Sequence, residues 1–185
     1  MMTDQKAIEE AVAKLAITDV LHRYARGLDR MDMAMTLSCW HEGGTDRHAP
    51  LFAGTAKGFL EWLWPVHAAM EVTRHTISNI MIEVDGDRAG SECYWMVTLR
   101  VPHEGQRYDM IGQGRYMDTW ERIDGVWAIR HRESISDWGR IEPVGLVAGA
   151  PGAPVLIQPN NPEAPRPTWA RDKSDYSYGV LKRAF

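Results

Sequence analysis

Apolar residues recur at three- and four-residue steps through the first part of the chain and at two-residue steps through the second. Over residues 4–28, Ile8, Val12, Leu15, Ala16, Val20, Tyr24 and Leu28 trace an apolar stripe that predicts one long amphipathic helix. Gly27 weakens its last turn, and Asp29 and Asp32 frame a short break. Asp32 is placed to cap a second helix over 33–40, with Met35, Leu37 and Trp40 as buried candidates. The stretch HEGGTDRHAP that follows reads as turn-rich, with little room for more than one short strand. A third helix is predicted from about 56 to 70, carrying Phe59, Leu60, Leu63, Trp64 and His67, with Pro65 kinking or restarting it.

From Val72 the period is two. Residues 75–84 read as a strand, Asp85-Gly86 as a hairpin turn, and residues 88–101 as the answering strand. A further strand covers 108–122, where Gly112 and Gly114 predict a bulge or bend. Asp124-Gly125 makes another hairpin into a last long strand over 126–138. Helices followed by a four-strand meander predict an α+β fold in which an antiparallel sheet curls around the helices. Seven of the ten prolines then fall between Pro143 and Pro167. That density forbids regular helix or central strand. Leu146, Val147, Val155, Leu156, Ile157 and Trp169 are nevertheless too apolar for a solvated linker, so residues 139–185 are expected to form an extended arm docked on another surface.

The composition narrows the function. A length of 185 residues fits one domain, here 1–138, with the arm as an appendage. A formal charge of −4 with no Lys/Arg-rich block argues against nucleic acid as partner, and no apolar run is long enough to span a membrane. The two cysteines, Cys39 and Cys93, make no disulfide framework or zinc spacing and fit a reducing cytoplasm. Eight Trp and ten Met point to a large core or to a roomy pocket for a flat apolar ligand. Trp40, Trp62, Trp64, Trp95, Trp120 and Met81, Met96, Met110 and Met117 are the candidates for such a lining.

The phrase Arg23-Tyr24-Ala25-Arg26-Gly27-Leu28-Asp29, with the ending Asp124-Gly125-Val126-Trp127-Ala128-Ile129 and the later Asp137-Trp138, resembles the SnoaL-like branch of the nuclear transport factor 2-like superfamily. The resemblance covers about residues 5–138. It implies a cone: helices closing the mouth of a strongly curved antiparallel sheet around an apolar pocket. Scytalone dehydratase-like and bile-acid dehydratase-like members place a Tyr and an Asp at the end of the first helix and a His at the start of the first long strand. Tyr24, Asp29 and His75 stand at those positions. Members commonly form dimers or trimers through the convex sheet face, where Tyr94, Met96 and Thr98 fall, so a homo-oligomer is expected.

An Asp–His pair in an apolar cavity is a general base with an orienting partner, and Tyr24 can donate to an oxygen where negative charge develops. No metal or organic cofactor is needed for that chemistry. Each residue also has an ordinary alternative: Asp29 as a turn or cap residue, His75 as a satisfied core histidine, Tyr24 as core. His131 falls on the face of Ile129 and Trp127, either pointing into the cone to bind substrate or capping the core at the rim. With it, Trp40, His48, Met110 and Tyr116 complete the expected substrate-binding set, although His41, His48 and His103 lie in turn-rich stretches and are expected to be solvated. The leading expectation is a cofactor-independent lyase on a hydroxylated aromatic or polycyclic small molecule, dehydration first. Aldehyde-releasing C–C cleavage of a lignin-like diaryl compound, and ketone isomerisation or polyketide cyclisation, are the alternatives within enzymes. A non-catalytic small subunit of a ring-hydroxylating dioxygenase is the alternative outside them.

Overall fold

The first helix, α1 (Asp4–Asp29), forms where its stripe predicts, but it buries only part of that stripe. Ala13, Ile17, Val20, Leu21, Tyr24 and Leu28 are buried, whereas Ile8, Val12 and Leu15 are 58, 59 and 67 % exposed. Four-residue steps explain the difference. Each overshoots a full turn by about 40°, so a series of them winds around the helix instead of holding one face. By Leu28 the stripe has crossed to the side opposite Ile8.

A computed structural model describes residues 4–147, 150–154, 156, 158, 160–165 and 169–181. After α1 come α2 (Met33–Leu37), β1 (Trp40–His48), β2 (Phe52–Thr55), α3 (Ala56–Ala68), β3 (Val72–Asp85), β4 (Arg88–His103), β5 (Gln106–Ile123), β6 (Val126–Pro143) and the short α4 (Ser177–Val180). Asp32 caps α2 as predicted, its Oδ1 accepting from Met35 N at 3.0 Å. The strands form one curled, unclosed sheet in the order β2-β1-β6-β5-β4-β3. This corrects the four-strand antiparallel meander: the sheet has six strands and is mixed, because β1 runs parallel to β6. The stretch read as turns is β1 and the start of the β1–β2 hairpin. Its Gly43, at φ +73°, absorbs a register shift between Trp40 and Thr45, so a strand persists through a Gly-Gly pair that looks like a breaker.

The bend predicted in β5 is real. The register against β6 shifts between Gln113 and Gly114, and a Cβ on Gly114 would lie 2.0 Å from Ile135 O and 2.5 Å from the Trp95 ring. Only glycine permits that approach, and the curl of the sheet depends on it. The core lies between α1, α3 and the concave sheet face, around Ile17, Tyr24, Leu60, Trp120 and Ile129. Cys39 and Cys93 are buried in it, and burial pushes both thiols up to about 12. Three of the four candidate pocket methionines lie outside the cone: Met81, Met96 and Met117 are 66, 39 and 37 % exposed. A bulge between Ser78 and Met81, with Asn79 at φ +49°, turns Met81 outward.

β6 continues past residue 138 to Pro143, so the sheet reaches into the segment expected to be arm. The chain later returns to its own helices: Arg171 donates to His67 O at 2.9 Å and to Met70 O, Arg30 pairs with Asp175 at 3.2 Å, and Tyr178 donates to Asp32 at 3.0 Å. Leu146, Leu156 and Trp169 are exposed on the single chain, and Val155 and Ile157 lie outside the described residues. Among the described residues no helix is long and apolar enough to cross a membrane.

Candidate active site

The last turn of α1 sets Tyr24 and Asp29 against the start of β3. Both Asp29 carboxylate oxygens accept the backbone N–H of His75, at 3.1 and 3.0 Å, and Oδ1 also meets His75 Nδ1 at 2.7 Å. Asp29 therefore caps no helix. It is fixed by the strand backbone and in turn fixes the imidazole. With Nδ1 committed, Nε2 of His75 is left for chemistry. The His75 side chain is 7 % exposed and lines a cavity of about 640 Å³ inside the cone.

Tyr24, Tyr116, Met110 and His48 also line this cavity. Most of the wall is apolar, including Phe59, Trp62 and Trp95. Burial, then the neighbouring Tyr116, raises the Tyr24 hydroxyl well above its ordinary range against the opposing pull of Arg132. Burial raises Tyr116 as well. Both hydroxyls thus stay protonated and act as hydrogen-bond donors rather than bases.

Two expected ligands of substrate stand elsewhere. Trp40 is buried edge-on against Tyr24, with ring centroids 5.3 Å apart, and supports the site from behind without lining the cavity. His131 leaves the cone altogether. The β5–β6 register shifts between Thr119 and Trp120, which leaves Arg130 as the extra residue and reverses the phase of β6 beyond it. His131 then faces outward, hydrogen-bonded to Thr45 Oγ1 at 2.8 Å.

The same reversal brings in a residue the sequence hid. Arg132 is fully buried and donates two hydrogen bonds of 2.7 Å to Asp118, itself buried. Its guanidinium carbon lies 4.0 Å from the Tyr116 ring centroid and 4.2 Å from that of Tyr24. Burial alone would lower its pKa, but the Asp118 charge and hydrogen bonds overcome that and raise it, so a permanent cation sits beneath the two tyrosines. In the sequence strict alternation puts His131 on the face of Ile129 and Trp127 and therefore Arg132 on the opposite one, and only an anticipated bulge could have singled out Arg132.

His48, placed by the sequence both in the substrate-binding set and in a turn-rich, solvated stretch, lies on a strand: it stacks flat on Phe59, 4.4 Å between ring centroids at 9°, and its Nδ1 meets Asp46 Oδ1 at 2.5 Å. His67, on α3, places its ring 5.8 Å from that of His75. Burial, and then the charges of His75 and Arg171, lower its pKa to about 3, so it remains a neutral neighbour.

Solved structures share the fold. A protein from Novosphingobium aromaticivorans assigned as a scytalone dehydratase is 24 % identical, with a TM-score of 0.63 over 80 % of this chain and 99 % of its own. The type 3 hexachlorocyclohexane dehydrochlorinase LinA of Novosphingobium barchaimii is 17 % identical, with a TM-score of 0.65 over 80 % and 99 %. Rv3472 of Mycobacterium tuberculosis, of unknown function, is 25 % identical, with a TM-score of 0.61 over 71 % and 75 %. No curated protein matches the chain. The SnoaL-like domain family matches over residues 9–133. Since that span holds Tyr24, Asp29, His75 and Arg132 together with nearly all of the cone that positions them, the chain belongs to the SnoaL-like domain family.

Proposed function

We propose that this protein is a lyase acting on a hydroxylated aromatic or polycyclic small molecule by proton transfer alone. The observation that carries the reading is the Asp29–His75 pair, 2.7 Å apart, with its imidazole on the wall of an apolar cavity of about 640 Å³. A space of that size and lining takes a flat apolar body, and the few polar groups within it set its orientation. His75 Nε2 takes a proton from carbon beside a carbonyl, Tyr24 and Tyr116 donate to the oxygen where charge develops, and the leaving group departs. The similar dehydratase and dehydrochlorinase structures, both named for eliminations, support the class of reaction without naming the substrate. Dehydration is the reading we favour.

The test is incubation of the purified protein with a panel of hydroxylated aromatic ketones and diaryl diols, read by mass. Loss of water by at least one member is the expected result. Release of an aldehyde would replace dehydration by C–C cleavage, with His75 taking the proton from a hydroxyl. No change with any member, in folded protein, would overturn the enzyme reading in favour of a scaffold subunit. A cytoplasmic homo-oligomer, dimer or trimer, belongs to the same proposal, and sedimentation of the full chain checks the assembly.

A further inference from the structure

We propose that Asp46 and His48 form a second acid–base pair in the same cavity, with His48 delivering the proton to the departing oxygen and Asp46 as its positioning residue. The inference rests on the lyase reading above and adds the group that reading lacks: hydroxide is a poor leaving group and departs as water only when an acid meets it.

The geometry repeats that of the first pair. Asp46 Oδ1 holds His48 Nδ1 at 2.5 Å, Phe59 stacks on one face of the ring, and Tyr116 meets it at 5.8 Å and 66°. Nε2, on the far side of the ring from Asp46, has no protein partner among the described residues, and His48 lines the cavity. β1 lies next to one edge of the sheet and β3 forms the other, so the curl brings His48 and His75 to one cavity from opposite ends of the sheet. A substrate between them would meet a base on one side and an acid on the other.

A purely structural role fits poorly. The Asp46 side chain is wholly buried, and its Oδ2 has no partner among the described residues. A half-satisfied buried carboxylate costs stability that an apolar pair of the same size would not. Such a group is the kind that function retains.

The step balances as an elimination. His75 Nε2 takes the proton from carbon, and the electron pair of that C–H bond becomes the new C=C bond. The C–O bond breaks, and its oxygen takes both electrons together with the proton from His48 Nε2, leaving as water. His75 then holds one proton more and His48 one fewer, and exchange with bulk water restores both.

Two measurements on the full-length protein test this. In the first, protein carrying nitrogen-labelled histidine is titrated with naphthol, and the ring signals are assigned with His48→Gln and His75→Gln. Perturbation of Nε2 in both His48 and His75 is expected, and in Asp46→Asn the His48 tautomer should shift while that of His75 stays. A response of His75 alone overturns the second pair and leaves the proposed function standing. A response of neither overturns the reading of the cavity and this inference with it. In the second, the aldol adduct of benzaldehyde and acetone is compared with its acetate ester, whose leaving group needs no proton. His48→Gln should lower elimination from the alcohol by ~10²–10⁴-fold, at least tenfold more than from the ester, whereas His75→Gln should lower both alike. Equal losses on alcohol and ester for His48→Gln would overturn the acid role.

Discussion

Asp29–His75 and Asp46–His48 use the same contact, a carboxylate on Nδ1, yet they are held in different ways. Asp29 is partly exposed and accepts three hydrogen bonds, two of them from the β3 backbone. It would stay in place whatever the imidazole did. Asp46 is wholly buried, keeps one oxygen without a partner, and relies on the aromatic packing of His48 against Phe59. The neighbours differ too. A third imidazole, His67, stands beside the first pair, whereas two aromatic rings enclose the second. One pair is fixed by backbone geometry and the other by packing, and perturbations should separate them.

The largest effect is expected at the first pair. His75→Ala and Asp29→Asn should each lower turnover by ~10²–10⁴-fold while the protein stays folded, as for loss of a general base. The double variant should be little worse than the worse single one, because the two act as a unit. Near-native turnover in either folded single variant, measured by steady-state kinetics, would remove the pair from the mechanism.

Next comes the buried ion pair beneath the tyrosines. Asp118→Ala leaves the Arg132 guanidinium uncompensated in the core, which should cost about 3–5 kcal/mol in a urea unfolding curve. Replacing both by apolar residues of similar size should recover much of that loss while altering the orientation of Tyr24 and Tyr116. A neutral Asp118→Ala would mean that Arg132 reaches solvent, contrary to its burial.

The first pair was legible only through the family resemblance, which sets Tyr24, Asp29 and His75 at one site; taken singly, a turn aspartate, a strand histidine and a helix tyrosine also fit ordinary structural places. The hairpin turns at Asp85-Gly86 and Asp124-Gly125 were readable locally, both glycines having positive φ. What failed is what depends on partner strands. Gly43-Gly44 looked like a breaker until β6 supplied its ladder, and strict alternation carried His131 inward where a single extra residue turned Arg132 inward instead. His48 was named, but its strand was not, and its partner Asp46 was missed with that strand. The slow winding of four-residue steps on α1 misled in a third way, since periodicity names a face only over about two turns.

Acid should distinguish the surroundings of the two pairs. His67 has an ordinary pKa of 6.5 that burial and nearby charge lower to about 3. Between those values the unfolded chain binds a proton that the folded chain refuses. The stabilising contribution is therefore complete above the unfolded pKa and is lost as the pH falls toward the folded one. The loss should reach up to ~3 kcal/mol near pH ~4. Urea midpoints of wild type and His67→Gln between neutral and acid pH check it: the wild type should lose stability more steeply, and parallel curves would contradict a neutral buried His67.

The smallest effect tests whether the C-terminal return of the chain supports the first pair alone. Tyr178 donates to Asp32 at 3.0 Å, and the Arg26 guanidinium carbon lies 4.7 Å from the centroid of its ring. Asp32 in turn caps α2, three residues beyond Asp29. Tyr178→Phe keeps the ring over Arg26 and removes only the hydroxyl, so the cost should be ~1 kcal/mol or less, the usual net value of one hydrogen bond. The informative signal is local. The break after α1 positions Asp29, while β1 and its Asp46 stand on the other side of the cone, joined to β6. Nitrogen signals of His75 should therefore shift in Tyr178→Phe and those of His48 should not. A shift of both would mean that the two pairs share one support, and the contrast between backbone-held and packing-held pairs would fail.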